Sequence, residues 1–158
     1  MSDHGQKIRA WWRRSLDRET ARGRALAAKL RRGDGVSVLC EPEVHALAQE
    51  LEIRDAERLV RLVQVLAEVR NDDSVALAKA LGGNDPALSH LRFQKLMRAS
   101  NDEIATGLRR ALPLVGYRCN VAALGQDLLF WGEKTRTRWC FDYFGAEAPR
   151  SISEETIE

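Results

Sequence analysis

Ala56-Glu57-Arg58-Leu59-Val60-Arg61-Leu62-Val63-Gln64-Val65-Leu66-Ala67 is the stretch on which the fold turns. Within it Ala56, Leu59, Val60, Val63, Leu66 and Ala67 recur at helical spacing, so they share one face of an amphipathic helix of roughly four turns. Asn71-Asp72-Asp73 closes that helix.

The same period continues toward the N-terminus. Ile8, Trp11, Trp12 and Leu16 line one face of a first helix, with Arg9, Arg13 and Arg14 largely outside it. A second helix runs from about Arg18 to Arg32, turns Ala25, Leu26 and Leu30 inward, and ends at Arg32-Gly33-Asp34-Gly35. The short apolar run Val36 to Cys40 reads as an extended connector or one buried strand, with the connector preferred because no second strand-like run is present to pair with it. Glu41-Pro42-Glu43 then starts a helix through Val44, Leu47, Ala48 and Leu51, with proline in the first turn and acids at the positive end of the dipole.

Toward the C-terminus a short helix spans Ser74 to about Leu81, and Gly82-Gly83-Asn84-Asp85-Pro86 is the clearest loop. A helix from Leu88 carries His90 to Arg98, and Ser100-Asn101-Asp102-Glu103 is a capping box for the next. That next helix buries Ile104, Leu108, Ala111, Leu112 and Val115; Pro113 tightens its last turns and Gly116 ends it. Asn120 caps a helix through Leu124, Leu128 and Leu129, and a last helix sets Arg136, Trp139, Cys140, Tyr143 and Phe144 on one side. The expectation is an all-α chain, a bundle of about seven to nine helices. Residues 1–147 form one domain, with 1–84 and 86–147 as candidate packed sub-bundles and 148–158 as a frayed acidic tail.

Composition excludes several classes. At 158 residues and 44% apolar, the chain encloses one good core. Its longest apolar stretches are far too short for a membrane span. Cys40, Cys119 and Cys140 are odd in number and widely spaced, and Met1 to Lys7 is no signal peptide, which points to a reducing, cytoplasmic setting. Cys40 and His45 have no second Cys/His pair to complete a metal site, and Cys119 and Cys140 read as core residues. His4, His45 and His90 lie in no nucleophile motif, and there is neither a phosphate-cradling glycine loop nor a Gly-x-Ser-x-Gly elbow. Acid pairs such as Asp72-Asp73 and Glu154-Glu155 read as solvated charge. The chain is therefore expected to be no enzyme and to need no cofactor or metal.

Net charge is +2, but its distribution is uneven. Residues 1–32 hold ten Lys/Arg against three Asp/Glu; residues 33–91 hold five against eleven; residues 92–140 hold nine against four; the remainder holds one against five. Two basic segments flank an acidic middle. Arg22, Lys29 and Arg32 form a stripe on the second helix, Arg92, Lys95 and Arg98 another, and Arg109 and Arg110 add two cations to a helix whose apolar residues face elsewhere. Such stripes suit phosphate oxygens without reading sequence. The competing interpretation is that they are solvated faces, or pair with acids of the middle segment. Trp11, Trp12, Trp131 and Trp139 sit on or beside apolar stripes and read as core or interface anchors.

Taken in order, the motifs resemble the CasB family, the small subunit of the type I-E CRISPR complex Cascade. They are Trp11-Trp12-Arg13, the helix from Arg22 to Arg32, Arg92-Phe93-Gln94-Lys95-Leu96-Met97-Arg98, Leu108-Arg109-Arg110-Ala111-Leu112-Pro113-Leu114, Asp127-Leu128-Leu129-Phe130-Trp131, and Arg138-Trp139-Cys140-Phe141-Asp142-Tyr143-Phe144. The resemblance implies an all-helical, non-catalytic, cofactor-free subunit. Its expected partners are a second copy of itself, the crRNA-coating backbone and large subunit of Cascade, crRNA, target DNA and the displaced DNA strand, and its expected role is stabilising the R-loop in antiviral defence. Carried over residue by residue, the nucleic-acid-binding role falls on Arg24, Lys29, Arg31, Arg32, Arg92, Lys95, Arg98, Arg109, Arg110 and Arg138; Arg138, beside Trp139, is the foremost candidate for a structural role instead. Lys95 stands where the family pattern more often has arginine; lysine keeps the charge and loses the bidentate fork. Readings from other classes are a helical DNA-binding transcriptional regulator and a structural adaptor for acidic proteins.

Overall fold

In the computed structural model, which describes residues 3–145, the helix opened by Ala56 is the hub. This helix, α5 (Ala56–Glu68), is capped by the Asp55 carboxylate, which accepts from the Arg58 backbone N–H. Of the expected stripe it buries Leu59, Val63, Leu66 and Ala67, leaves Val60 half-buried and Ala56 exposed, and it also buries Leu62 and Val65 completely. A helix apolar on more than one side must be enclosed by neighbours. Here they are α2 (Ala21–Arg32), α8 (Ile104–Ala111) and α9 (Val121–Leu129).

The remaining elements wrap this centre. α1 (Asp3–Ser15) lies along α9, the most extensive helix pairing in the molecule. Trp11 and Trp12 are buried there as expected, and each also ties down a backbone carbonyl: Trp11 Nε1 donates to Glu43 O at 2.8 Å and Trp12 Nε1 to Leu66 O at 3.0 Å. Satisfying the indole N–H is what permits so large a side chain to be buried. α4 (Pro42–Leu51) buries Val44, Leu47 and Leu51, α6 (Leu77–Leu81) packs on α10 (Glu133–Phe144), and α7 (His90–Arg98) rests on α8. One continuous core runs from Ile8 to Tyr143.

The all-α class is what the chain adopts, with ten α-helices among the described residues and a 3₁₀ turn at Leu112–Val115 where Pro113 tightens the chain. Gly116, at φ 69°, ends that turn in the left-handed region. Three local expectations are corrected. Gly35–Leu39 is a short helix, α3, not an extended connector: Asp34 caps it by accepting from Ser37 N, and Val38 enters the core. The helix expected from Ser74 begins only at Leu77, because Asp73 Oδ1 instead holds Val75 N in a turn. The Ser100/Glu103 box closes, with Ser100 N and Oγ both donating to Glu103 Oε1, but α8 itself begins at Ile104.

A further element was not expected at all. β1 (Asn71–Asp72) and β2 (Arg118–Cys119) pair in parallel, Asn71 opposite Arg118 and Asp72 opposite Cys119. Two residues on each side are too few to leave a strand pattern in the sequence. The pairing buries Cys119, and that burial, with Asp73 and Asp72 nearby, pushes its thiol up to about 12. No helix among the described residues is long and apolar enough to cross a membrane. The acidic segment 148–158 lies outside the described residues.

Candidate nucleic-acid interface

Folding treats the two basic segments differently. The N-terminal one meets the acidic middle: Arg9 and Arg13 pair with Asp72, Arg14 with Glu50 at 3.1 Å, Arg22 with Glu43 at 3.6 Å and Lys29 with Glu41 at 3.9 Å. Arg24 Nη1 donates to Arg18 O at 2.7 Å. Arg18 and Arg31 both donate to Ala67 O, at the carbonyl end of α5 where the helix dipole is negative. Burial lowers the Arg18 pKa, Arg31 and Arg70 add repulsion, and Glu68 offsets part of it. Of the α2 candidates, only Arg32 has no ion pair or hydrogen bond among the described residues. Arg22 and Lys29 thus lie beside the protein's own carboxylates, in long and largely solvated pairs.

The second segment keeps its charge available. Arg92, Lys95 and Arg98 on α7, and Arg110 on α8, are all exposed and form no ion pair among the described residues. The fold brings three of them together. Arg92, Lys95 and Arg110 line one groove of about 490 Å³, whose floor is apolar through Leu96 and Ala111 and whose rim carries the half-exposed Leu114. Arg98 stays on the outer face of α7, one turn beyond Lys95.

Close approach of the two helices is what makes the groove. A Cβ on Gly107 would stand 2.6 Å from Leu96 Cδ1, so the glycine lets α8 approach the side chain that α7 turns toward it. Ser89 starts α7 by accepting from Arg92 N, which places Arg92 in the first turn.

Arg109 and Arg110 part company. Successive residues on a helix lie about 100° apart. While Arg110 faces the groove, Arg109 turns inward: its Nε donates to Glu68 Oε2 at 2.9 Å and its Nη2 to Arg31 O. It ties α8 to α5 and α2. Arg138 likewise pairs with Asp127, which also accepts from Trp139 Nε1 at 2.8 Å. Burial raises the Asp127 pKa, and the bonds from Arg138 and Trp139 only partly oppose that rise. Of the ten candidates, then, Arg24, Lys29, Arg31, Arg109 and Arg138 hold partners inside the molecule, whereas the side chains of Arg32, Arg92, Lys95, Arg98 and Arg110 have none among the described residues. Residue spacing missed the apolar floor and the role of Gly107; the signal available was a glycine in mid-helix, where it costs stability unless something needs the space.

Known proteins carry the same arrangement of elements. The family model for CRISPR-associated protein Cse2 matches residues 26–144, three quarters of the chain. The chain belongs to the Cse2 family. A CRISPR-associated protein Cse2 of Thermus thermophilus is 33% identical over 112 residues, which span 68% of this chain and 66% of that protein. The crystal structure of CasB from Thermus thermophilus has a TM-score of 0.73 at 25% identity, covering 92% of this chain and 100% of that one. A chain in the crystal structure of E. coli Cascade bound to a PAM-containing dsDNA target has a TM-score of 0.64 at 20% identity, over 86% of this chain and 95% of that one, and shares the fold. The CasB resemblance drawn from the motifs therefore holds.

Proposed function

We propose that this Cse2-family chain is a non-catalytic Cascade subunit that binds nucleic acid through the α7–α8 groove, with Arg92, Lys95 and Arg110 gripping the phosphates of a displaced DNA strand. The observation that carries this reading is the convergence on one groove of three cations from two helices that form no ion pair among the described residues. Elsewhere most candidate cations contact carboxylates and carbonyls of the chain itself. Three such cations next to apolar surface have a physical reason if a polyanion supplies the partners.

The chemistry is that of a clamp. Guanidinium and ammonium groups contact backbone oxygens, which are the same for every base, so the groove contributes affinity and no sequence preference. Guide and target pair by base complementarity, and this subunit lowers the free energy of the open R-loop by holding the strand that pairing expels. crRNA and target DNA, the backbone and large subunits, and a second copy of the chain are its partners in the same reading. Arg98 and Arg32 extend the positive surface beyond the groove, while Arg109 and Arg138 serve by keeping α8 and α10 in place.

Fluorescence anisotropy of the purified chain against unrelated oligonucleotides, titrated across salt, tests the reading. Binding should be indifferent to sequence, and three phosphate contacts should make log K fall with log salt at a slope of about −2 for single strands. A strong preference for one palindromic duplex, or no binding at low salt, would contradict it.

A further inference from the structure

Beside the groove, on the other flank of α7, the chain leaves an aromatic ring open to solvent. Phe144 ends α10 and is 59% exposed, and Leu91, on the crest of α7, is 62% exposed. Neither position is loose. Tyr143, the residue before, is buried, stacks on Phe93 with centroids 3.9 Å apart and donates its hydroxyl to Leu88 O, while its own carbonyl accepts from Gly83 N at 2.8 Å. The Phe144 ring is then held edge-to-face against Tyr143 at 5.0 Å and beside His90 at 5.3 Å. An exposed ring on so fixed a support forgoes burial that a core phenylalanine would gain.

What adjoins the ring says what would cover it. His90, Leu91 and Arg92 open α7 and line one shallow surface depression together with Asn84, Asp85 and Ser89, so the surface beside the ring runs past His90 and Leu91 to the first cation of the groove. Aromatic faces interleaved with unpaired cations are the chemistry of single-stranded nucleic-acid surfaces, where bases stack and phosphates pair. A duplex keeps its bases inside and offers the ring nothing. We propose that Phe144, with Leu91, is a base-stacking shelf for single-stranded nucleic acid whose backbone continues over Arg92 into the α7–α8 groove. This rests on the phosphate-groove reading and adds to it a preference for single strands that cations alone do not supply.

Two probes of equal length separate the two ideas: an oligothymidine, and an abasic oligonucleotide that has the phosphates and no bases. The full chain should bind oligothymidine about tenfold more tightly than the abasic strand, the increment expected from stacking one base. Phe144→Ala should erase most of that difference while leaving abasic binding and its salt slope unchanged, and Phe144→Trp should preserve it. Because Phe144 lies outside the core, Phe144→Ala leaves the Tyr143 and Phe93 stack in place. Equal binding of both probes by the native chain, or a difference that survives Phe144→Ala, overturns the shelf while the clamp stands. Binding of neither probe overturns the clamp, and the shelf with it.

Discussion

Reversing three charges together, Arg92→Glu, Lys95→Glu and Arg110→Glu, is expected to weaken binding to any DNA sequence by about 100-fold at low salt and to flatten the single-strand salt dependence by about two in slope. Each substitution removes one phosphate contact and adds a repulsion, and all three act on the same groove. None of the three side chains makes an ion pair among the described residues, so melting temperature should hardly change. Arg109→Ala is the matched control one residue away. It leaves the half-buried Glu68 without its guanidinium, so it should cost about 1–3 kcal/mol of stability while sparing most of the affinity of the folded protein. Anisotropy titrations and thermal melts on the two variants check this crossed pattern. Loss of affinity in Arg109→Ala and none in the triple variant would place the interface elsewhere.

Asp72→Ala should give a large loss of stability for a polar side chain. The Asp72 carboxylate is 9% exposed. It forms an ion pair with Arg9, whose Nε lies 2.9 Å away without hydrogen-bond alignment, and it accepts hydrogen bonds from Arg13 Nη2 at 3.1 Å and from Val121 N at 3.0 Å, an N–H of the first turn of α9. Arg9 in turn donates to the Asn120 cap of α9 at 2.9 Å. One carboxylate therefore joins α1, the β1–β2 pairing and the start of α9. Arg13 is mostly solvated and contributes little. Removing the partner of the mostly buried Arg9, together with a helix-terminal acceptor, should cost about 3 kcal/mol. At this chain length that is a fall of about 6–12 °C in Tm. Asp72→Asn, which retains an acceptor for Val121 N, should lose less; chemical denaturation of the two variants orders them.

Helical periodicity made most of the elements legible, because an amphipathic helix writes its buried face into residue spacing. It showed only half of what α5 does. Leu62 and Val65 fall outside the stripe, and their burial depends on α2, α8 and α9 closing round the helix from distant parts of the chain. Val36 to Cys40 did not declare its helix because a five-residue run with four apolar members suits a strand or a helix equally. The deciding feature was local: Asp34 capping Ser37 N.

Charge was legible as blocks and not as pairs. That the N-terminal arginines would meet Asp72, Glu50 and Glu43 follows from tertiary contacts, as does the choice between Arg109 and Arg110. The helical step shows only that two neighbours cannot face the same way. Which one turns inward is decided by Glu68, forty-one residues earlier in the chain. The α7 stripe, Arg92, Lys95 and Arg98, needed no such knowledge, since none of the three forms an ion pair among the described residues.

The most direct test of the central claim is the lifetime of an R-loop formed by a Cascade complex reconstituted with the Arg92→Glu, Lys95→Glu, Arg110→Glu variant, compared with the native chain and with Arg109→Ala. If these side chains hold the displaced strand, the triple variant should assemble normally and release the R-loop at least about tenfold faster, the equivalent of some 1.4 kcal/mol. An unchanged lifetime in a correctly folded, fully assembled triple variant would contradict the clamp.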